Sequence, residues 1–285
     1  MQICLRTHIV SDDPTTRLNY CLGTGITAAQ ESAKSIPGAV ERGWPTAAEL
    51  KEYRKPFDEA GVSIIGLEPV LEPVRTWPDN TVAGRASYET FVRHLDAAGE
   101  AGIGVVTLHP PLDDARSDAE AKHQFEANCV FYQKASGDAS RTGTKLATHS
   151  PWPPTKGLWG ADDFRAVFDA VPAPENGMIF CMGCMAISRS DALQAMEDLV
   201  DRIFMVHVRD VVIHTDGGVD EVLPGSGEVD PDAKIRALDR IGYRGPIAPE
   251  HLPSIFGEQK SEISMAWAVG FCRATLRDLA SSNAG

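Results

Sequence analysis

Along the chain, short apolar runs rich in β-branched residues alternate with longer segments whose apolar positions recur every three or four residues. The first pattern predicts strands and the second predicts helices with one packed face. Six strands stand out: 62–68 (VSIIGLE), 104–110 (GVVTLHP), 145–150 (KLATHS), 177–183 (GMIFCMG), 202–210 (RIFMVHVRD) and 245–251 (GPIAPEH). Two fainter ones lie at 2–8 (QICLRTH) and 25–31 (GITAAQE). Helical periodicity covers 46–61, 87–102, 118–136, 161–171, 189–200, 230–242 and a final stretch over roughly 259–280. Several of these helices open on Thr, Ser or Asp and close on Gly, as capping chemistry prefers.

Eight strands alternating with helices predict parallel βα units rather than a meander. No G-x-G-x-x-G follows the first strand, and the GTG at 23–25 precedes a strand instead of a helix, which counts against a dinucleotide-binding sheet. The expected fold is therefore α/β, a (β/α)8 TIM barrel formed by one domain over 1–285. One such barrel commonly takes about 250 residues. Two long segments, 150–160 (SPWPPTKGLWG) and 214–230 (HTDGGVDEVLPGSGEVD), read as loops after strands. That places them on the barrel's C-terminal rim, where sites are built.

Charge narrows the partners. Lys and Arg number 27 against 40 Asp and Glu, a formal net charge of −13, and basic residues never cluster beyond two in a row. Binding to nucleic acid or to an anionic membrane needs concentrated positive charge, so neither is expected. Composition is otherwise ordinary for a globular protein, 43% hydrophobic and 24% charged. The six cysteines sit mostly in apolar surroundings without the spacing of a secreted disulfide scaffold. The opening MQICLRTHIVSDDP lacks the features of a signal peptide, and no stretch approaches the roughly 18 apolar residues of a membrane span. A cytoplasmic location is the expectation.

Candidate chemistry gathers where the later strands run out: His149 after LAT, Cys181 after MIF, His207 after FMV and Glu250 after IAP. In a parallel barrel these ends share one rim, so residues far apart in sequence converge. A thiolate, two imidazoles and a carboxylate suit Mn²⁺, Fe²⁺, Co²⁺ or Zn²⁺ better than Mg²⁺ or Ca²⁺. Any one of them alone would more simply be a structural residue. Four on successive strand ends favour a metal site. Glu68 and His109 end the third and fourth strands and are candidates for the same rim, with His8 a weaker one. Trp152 and Trp159 could wall the site or only anchor their loop. Arg209, two residues beyond His207, would share its side of the strand and could pair with a substrate carboxylate or form a structural salt bridge. Within GMIFCMGCMA, Cys181 and Cys184 form a C-x-x-C that straddles a strand end and a glycine turn. Cys184 is therefore expected in a loop, near the site but unbound.

The segments LATHSPWPP, ENGMIFCMGCMA, DRIFMVHVRDV and IGYRGPIAPEH resemble successive parts of the mannonate dehydratase family, within the xylose-isomerase-like barrels. SIPGAVERGWPTAAELKEYRKPFDEAGV and IIGLEPVLEP resemble its earlier segments. The resemblance implies a divalent metal, most commonly Mn²⁺, held by His149, Cys181, His207 and Glu250, with Glu250 standing where that family has Asp. It also implies dehydration of a sugar acid, by abstraction of the α-proton and loss of the β-hydroxyl, with Glu250, His251 or His109 as acid and base. Substrate contacts would come from Arg209, Glu68, Trp152 and Trp159. The chain departs from the family in lacking paired aspartates after His149 and any tyrosine after Tyr243. Glu at the last strand is also usual among sugar isomerases and epimerases of the wider group. A metal-dependent isomerase or epimerase is thus the alternative, and a non-catalytic sugar-binding barrel a third. A small carbohydrate or sugar-acid substrate and a homo-oligomer are the expected partners.

Overall fold

Every expected strand forms, within a few residues of its expected bounds, in the computed structural model, which describes residues 1–70, 77, 80–151 and 160–282. The strands are β1 (Gln2–Arg6), β2 (Ala28–Ser32), β3 (Ser63–Glu68), β4 (Val105–Leu108), β5 (Lys145–Thr148), β6 (Asn176–Cys181), β7 (Ile203–Val208), β8 (Asp210–Ile213), β9 (Val219–Val222) and β10 (Pro246–Pro249). All but β8 and β9 pair in a closed barrel, running β1 to β7 in sequence order and then β10, which closes onto β1. Closure pairs Gln2 with Pro246 and Ile3 with Ile247, joining the two ends of the chain in parallel. This is the (β/α)8 architecture expected from the alternation.

The inside of the barrel is filled by Cys4, Ala28, Ala147, Ile179, Met205 and Ala248. Half of these are alanines, because inward side chains from eight strands share a narrow space. Close approach also governs β6. A Cβ on Gly177 would lie 2.4 Å from the Phe204 ring and 2.5 Å from the Arg202 carbonyl oxygen, so only glycine lets β6 and β7 meet there. Outside, helices cover the sheet with ends written in the sequence. Thr46 and Ser117 each form a capping box, with Glu49 and Glu120, and Gly143 ends the helix Asp118–Thr142 in left-handed backbone.

Three local expectations are corrected. A helix, Pro14–Thr24, follows β1; Asp13 caps it, Pro14 opens it and Gly25 (φ 64°) closes it. Its apolar stripe is thin, with Cys21 buried and Leu22 half exposed, so periodicity gave little sign of it. The residues after Cys181 form a short helix, Met182–Ile187, instead of a glycine turn, so Cys184 is helical and fully buried. Apolar on every side, MGCMAI could not be told from a strand's continuation by periodicity. The segment expected as a loop, 214–230, contains β9, which folds back in a hairpin onto β8 just before it, pairing Asp210 with Val222 and Ile213 with Val219.

Candidate metal centre

Register brings the four expected donors to one level. Cys181, the last residue of β6, pairs with His207 of β7, and His207 pairs on its other side with Ala248 of β10. His149 and Glu250 come directly after β5 and β10, their backbone N–H groups donating to the carbonyls of Leu108 and Val208 at 2.8 and 3.2 Å. All four are buried.

Their side chains converge on one oxygen. Glu250 Oε2 lies 3.1 Å from His207 Nδ1, 3.5 Å from His149 Nε2 and 3.6 Å from Cys181 Sγ. Donors bound to one transition metal at about 2.0–2.3 Å sit ~3.0–3.6 Å from each other in octahedral or tetrahedral geometry. The three separations span that range. The ligand atoms of His149, His207 and Glu250 lie within 4.8 Å of one another, and so do those of His149, Cys181 and Cys184.

Hydrogen bonding leaves these atoms open. His149 Nδ1 donates to the Ser150 carbonyl at 2.6 Å, which turns Nε2 toward Glu250 with no aligned partner. Both ring nitrogens of His207 are likewise buried without one. Orphaned buried nitrogens are rare in folded proteins, and a metal ligand whose second nitrogen is fixed by a carbonyl is a common reason for them.

Electrostatics agrees. Burial would raise the Glu250 carboxyl, but His207 and His149 beside it hold it well below the usual carboxylate range. Burial presses on His149 as well, yet Glu250 and Cys181 outweigh it and carry its pKa up to about 10. At His207 burial prevails over Glu250, and the pKa falls to about 4. Burial, reinforced by Cys184, pushes the Cys181 thiol well above its ordinary value.

Above the donors opens a cavity of about 130 Å³. At the roughly 30 Å³ that each water takes up in the liquid, it has space for about four waters. Arg6, which sequence patterning did not single out, organises it. Its guanidinium donates to Glu250 Oε1 at 2.8 Å and to Glu68 Oε2 at 3.2 Å. Both Glu250 oxygens are thereby engaged, one by Arg6 and one by the donor cluster. Glu68, His109 and His251 line the same cavity, and the His109 ring lies 5.5 Å from that of His149. His8 is beside Glu68, at 3.9 Å.

His251 stands on left-handed backbone (φ 49°), one of four non-glycine residues with positive φ among those described. Its Nε2 is 3.7 Å from Glu250 Oε1 and its Nδ1 is 3.4 Å from Glu221 Oε1, a residue of β9. Glu221 and Gln30, the latter also on the cavity wall, were missed because nothing in their local sequence marks them. Arg209 departs from its expected place. The strand ends at Val208, and the fully buried Arg209 pairs with both oxygens of Glu221 and donates to Cys184 Sγ at 3.3 Å, away from the cavity lining. Its charge is met within the protein by Glu221, the structural salt bridge that the sequence left open. Trp152 and Trp159 lie outside the described residues.

Comparison with known proteins fits this geometry. The model of the xylose isomerase-like TIM barrel family matches residues 29–268. A mannonate dehydratase from Streptococcus equi subsp. zooepidemicus (strain MGCS10565) is 29% identical, over 80% of this chain and 83% of that protein. The crystal structure of mannonate dehydratase from Streptococcus suis serotype 2 superposes with a TM-score of 0.79 at 21% identity, covering 98% of this chain and 95% of the other. The IolI protein, solved with a bound zinc atom, superposes with a TM-score of 0.78 at 17% identity over 99% of both chains. At these identities the two structures speak for the fold alone. The chain belongs to the xylose isomerase-like TIM barrel family.

Proposed function

We propose that this protein is a divalent-metal-dependent dehydratase acting on a sugar acid. One observation carries the reading: two imidazole nitrogens and a thiol sulfur surround Glu250 Oε2 at 3.1–3.6 Å, at the base of a cavity lined mostly by polar residues. Similarity to mannonate dehydratases across 80% of the chain supports the choice of reaction. His149, Cys181, His207 and Glu250 would hold the ion; their mixture of nitrogen, sulfur and oxygen suits Mn²⁺, Fe²⁺, Co²⁺ or Zn²⁺. When bound, such an ion supplies Lewis acidity toward two oxygens of a hydroxy acid.

The chain's own groups do the rest. Arg6 holds Glu250 Oε1, leaving Oε2 to the other donors, and keeps Glu68 turned to the cavity. His251, backed at Nδ1 by Glu221, offers Nε2 to the cavity as the base that takes the α-proton. His109, on the β4 side, is placed to give a proton to the departing β-hydroxyl.

The test is to incubate Mn²⁺-loaded protein with a panel of aldonic acids and ketoses in deuterated water. A 2-keto-3-deoxy product supports dehydration. Deuterium incorporated without loss of water would identify an isomerase or epimerase instead. Substrate binding without either change would leave a sugar-binding barrel.

A further inference from the structure

Beside the four donors lies a second buried thiol, that of Cys184. Cys181, Cys184 and His149 place their ligand atoms within 4.8 Å of one another, and all three residues are buried. His149 Nε2 is buried with no aligned hydrogen-bond partner. Two sulfurs on one tetrahedral zinc lie ~3.8 Å apart, so a small closure would complete the triad.

The local sequence is built to hold Cys184 there. Cys181 ends β6 and Met182–Ile187 turns at once into a helix, so the two cysteines, three residues apart, face each other. Gly183 between them is needed for packing. A Cβ at that position would lie 2.7 Å from Arg209 Cγ and Cδ, so only glycine admits the arginine stem. The guanidinium then reaches Cys184 Sγ at 3.3 Å, held in place by Glu221. A positive N–H donor beside a sulfur suits the negative charge of a metal-bound thiolate. The position of Arg209, unexplained by substrate binding, follows from this.

We infer that Cys184 is a second sulfur ligand, and that the centre offers two overlapping donor sets sharing His149 and Cys181. One set is soft (His149, Cys181, Cys184) and takes thiophilic ions such as Zn²⁺ or Cd²⁺. The other is harder (His149, Cys181, His207, Glu250) and suits Mn²⁺. The inference rests on the metal-centre reading above and adds a ligand to it.

Counting sulfur neighbours tests it. Full-length protein is stripped with chelator and loaded with Zn²⁺, and X-ray absorption at the zinc edge counts the sulfurs at ~2.3 Å. Two sulfurs are expected. One sulfur overturns the inference while leaving the metal centre standing, and no bound metal with either Zn²⁺ or Mn²⁺ overturns both. Independently, Cys184→Ser should weaken Zn²⁺ and Cd²⁺ binding by at least about tenfold, the low end for groups that support a metal. Mn²⁺ binding should stay within about twofold of the parent. Equal losses for soft and hard ions would show that Cys184 only packs, and overturn the inference. The wild-type sulfur count needs no variant to fold.

Discussion

Glu250→Gln tests the centre most directly, because the side chain keeps its size while the only carboxylate among the four donors loses its charge. Glu250 Oε2 is the shared point of the cluster, 3.1–3.6 Å from three other donors. Replacing an anionic oxygen by an amide at that point should lower metal affinity by about 100-fold or more, equivalent to ~2.7 kcal/mol. At a Mn²⁺ concentration 100 times the parent's Kd, binding stabilises the parent by about 2.7 kcal/mol, and the variant, then at its own Kd, by only ~0.4 kcal/mol. For a chain of this size one kcal/mol moves Tm by roughly 2–4 °C, so the metal-induced rise should fall from about 5–11 °C to about 1–2 °C. In chelator the two proteins should melt within a few degrees of each other. Removing a buried charge relieves desolvation while giving up its Arg6 and histidine partners, and these effects oppose one another. Differential scanning fluorimetry with and without Mn²⁺ reads both numbers. A variant that keeps the full metal-induced rise would show that Glu250 is not a ligand.

Further predictions concern the frame around the site. Gly177→Ala forces a Cβ to 2.4 Å from the Phe204 ring, and overpacking of this kind costs about 1–3 kcal/mol, read as a lower urea midpoint; an unchanged midpoint refutes the close approach of β6 and β7. The buried Asp210 carboxylate accepts backbone N–H groups from Val211, Gly225, Gly227 and Val229 at 2.9–3.0 Å. Asp210→Asn should therefore cost about 2 kcal/mol or more and speed hydrogen exchange across β8 and β9, whereas unchanged exchange would deny that Asp210 ties down the hairpin. Burial, only partly offset by Glu68, lowers His8 to a pKa of about 4. The unfolded chain, with His8 near 6.5, then binds the proton more readily than the folded one, so this contribution is intact above about pH 6.5 and is lost as pH falls toward 4. His8→Gln should flatten the stability profile between those values in paired denaturation series; parallel profiles would contradict it.

The barrel itself was legible because eight apolar runs alternate with capped helices, and parallel pairing is the arrangement that buries such runs on both faces. The donors were legible for a related reason. His149, Cys181, His207 and Glu250 each stand where an apolar run stops, and a closed barrel puts all strand ends on one rim. Arg6 could not be read the same way. Its partner Glu250 is 244 residues distant, and the two meet only because β10 closes onto β1. Arg209 shows the limit of strand periodicity, since the strand stops one residue before it and the hairpin then supplies Glu221 to take up its charge. Cys184 shows the same limit in a helix, for its approach to Cys181 depends on where β6 ends and on the space left by Gly183. Local pattern determined the elements and the chemistry available at their ends. Which groups share a counter-ion or converge on one oxygen was decided by contacts between segments that only the closed barrel brings within a few ångströms.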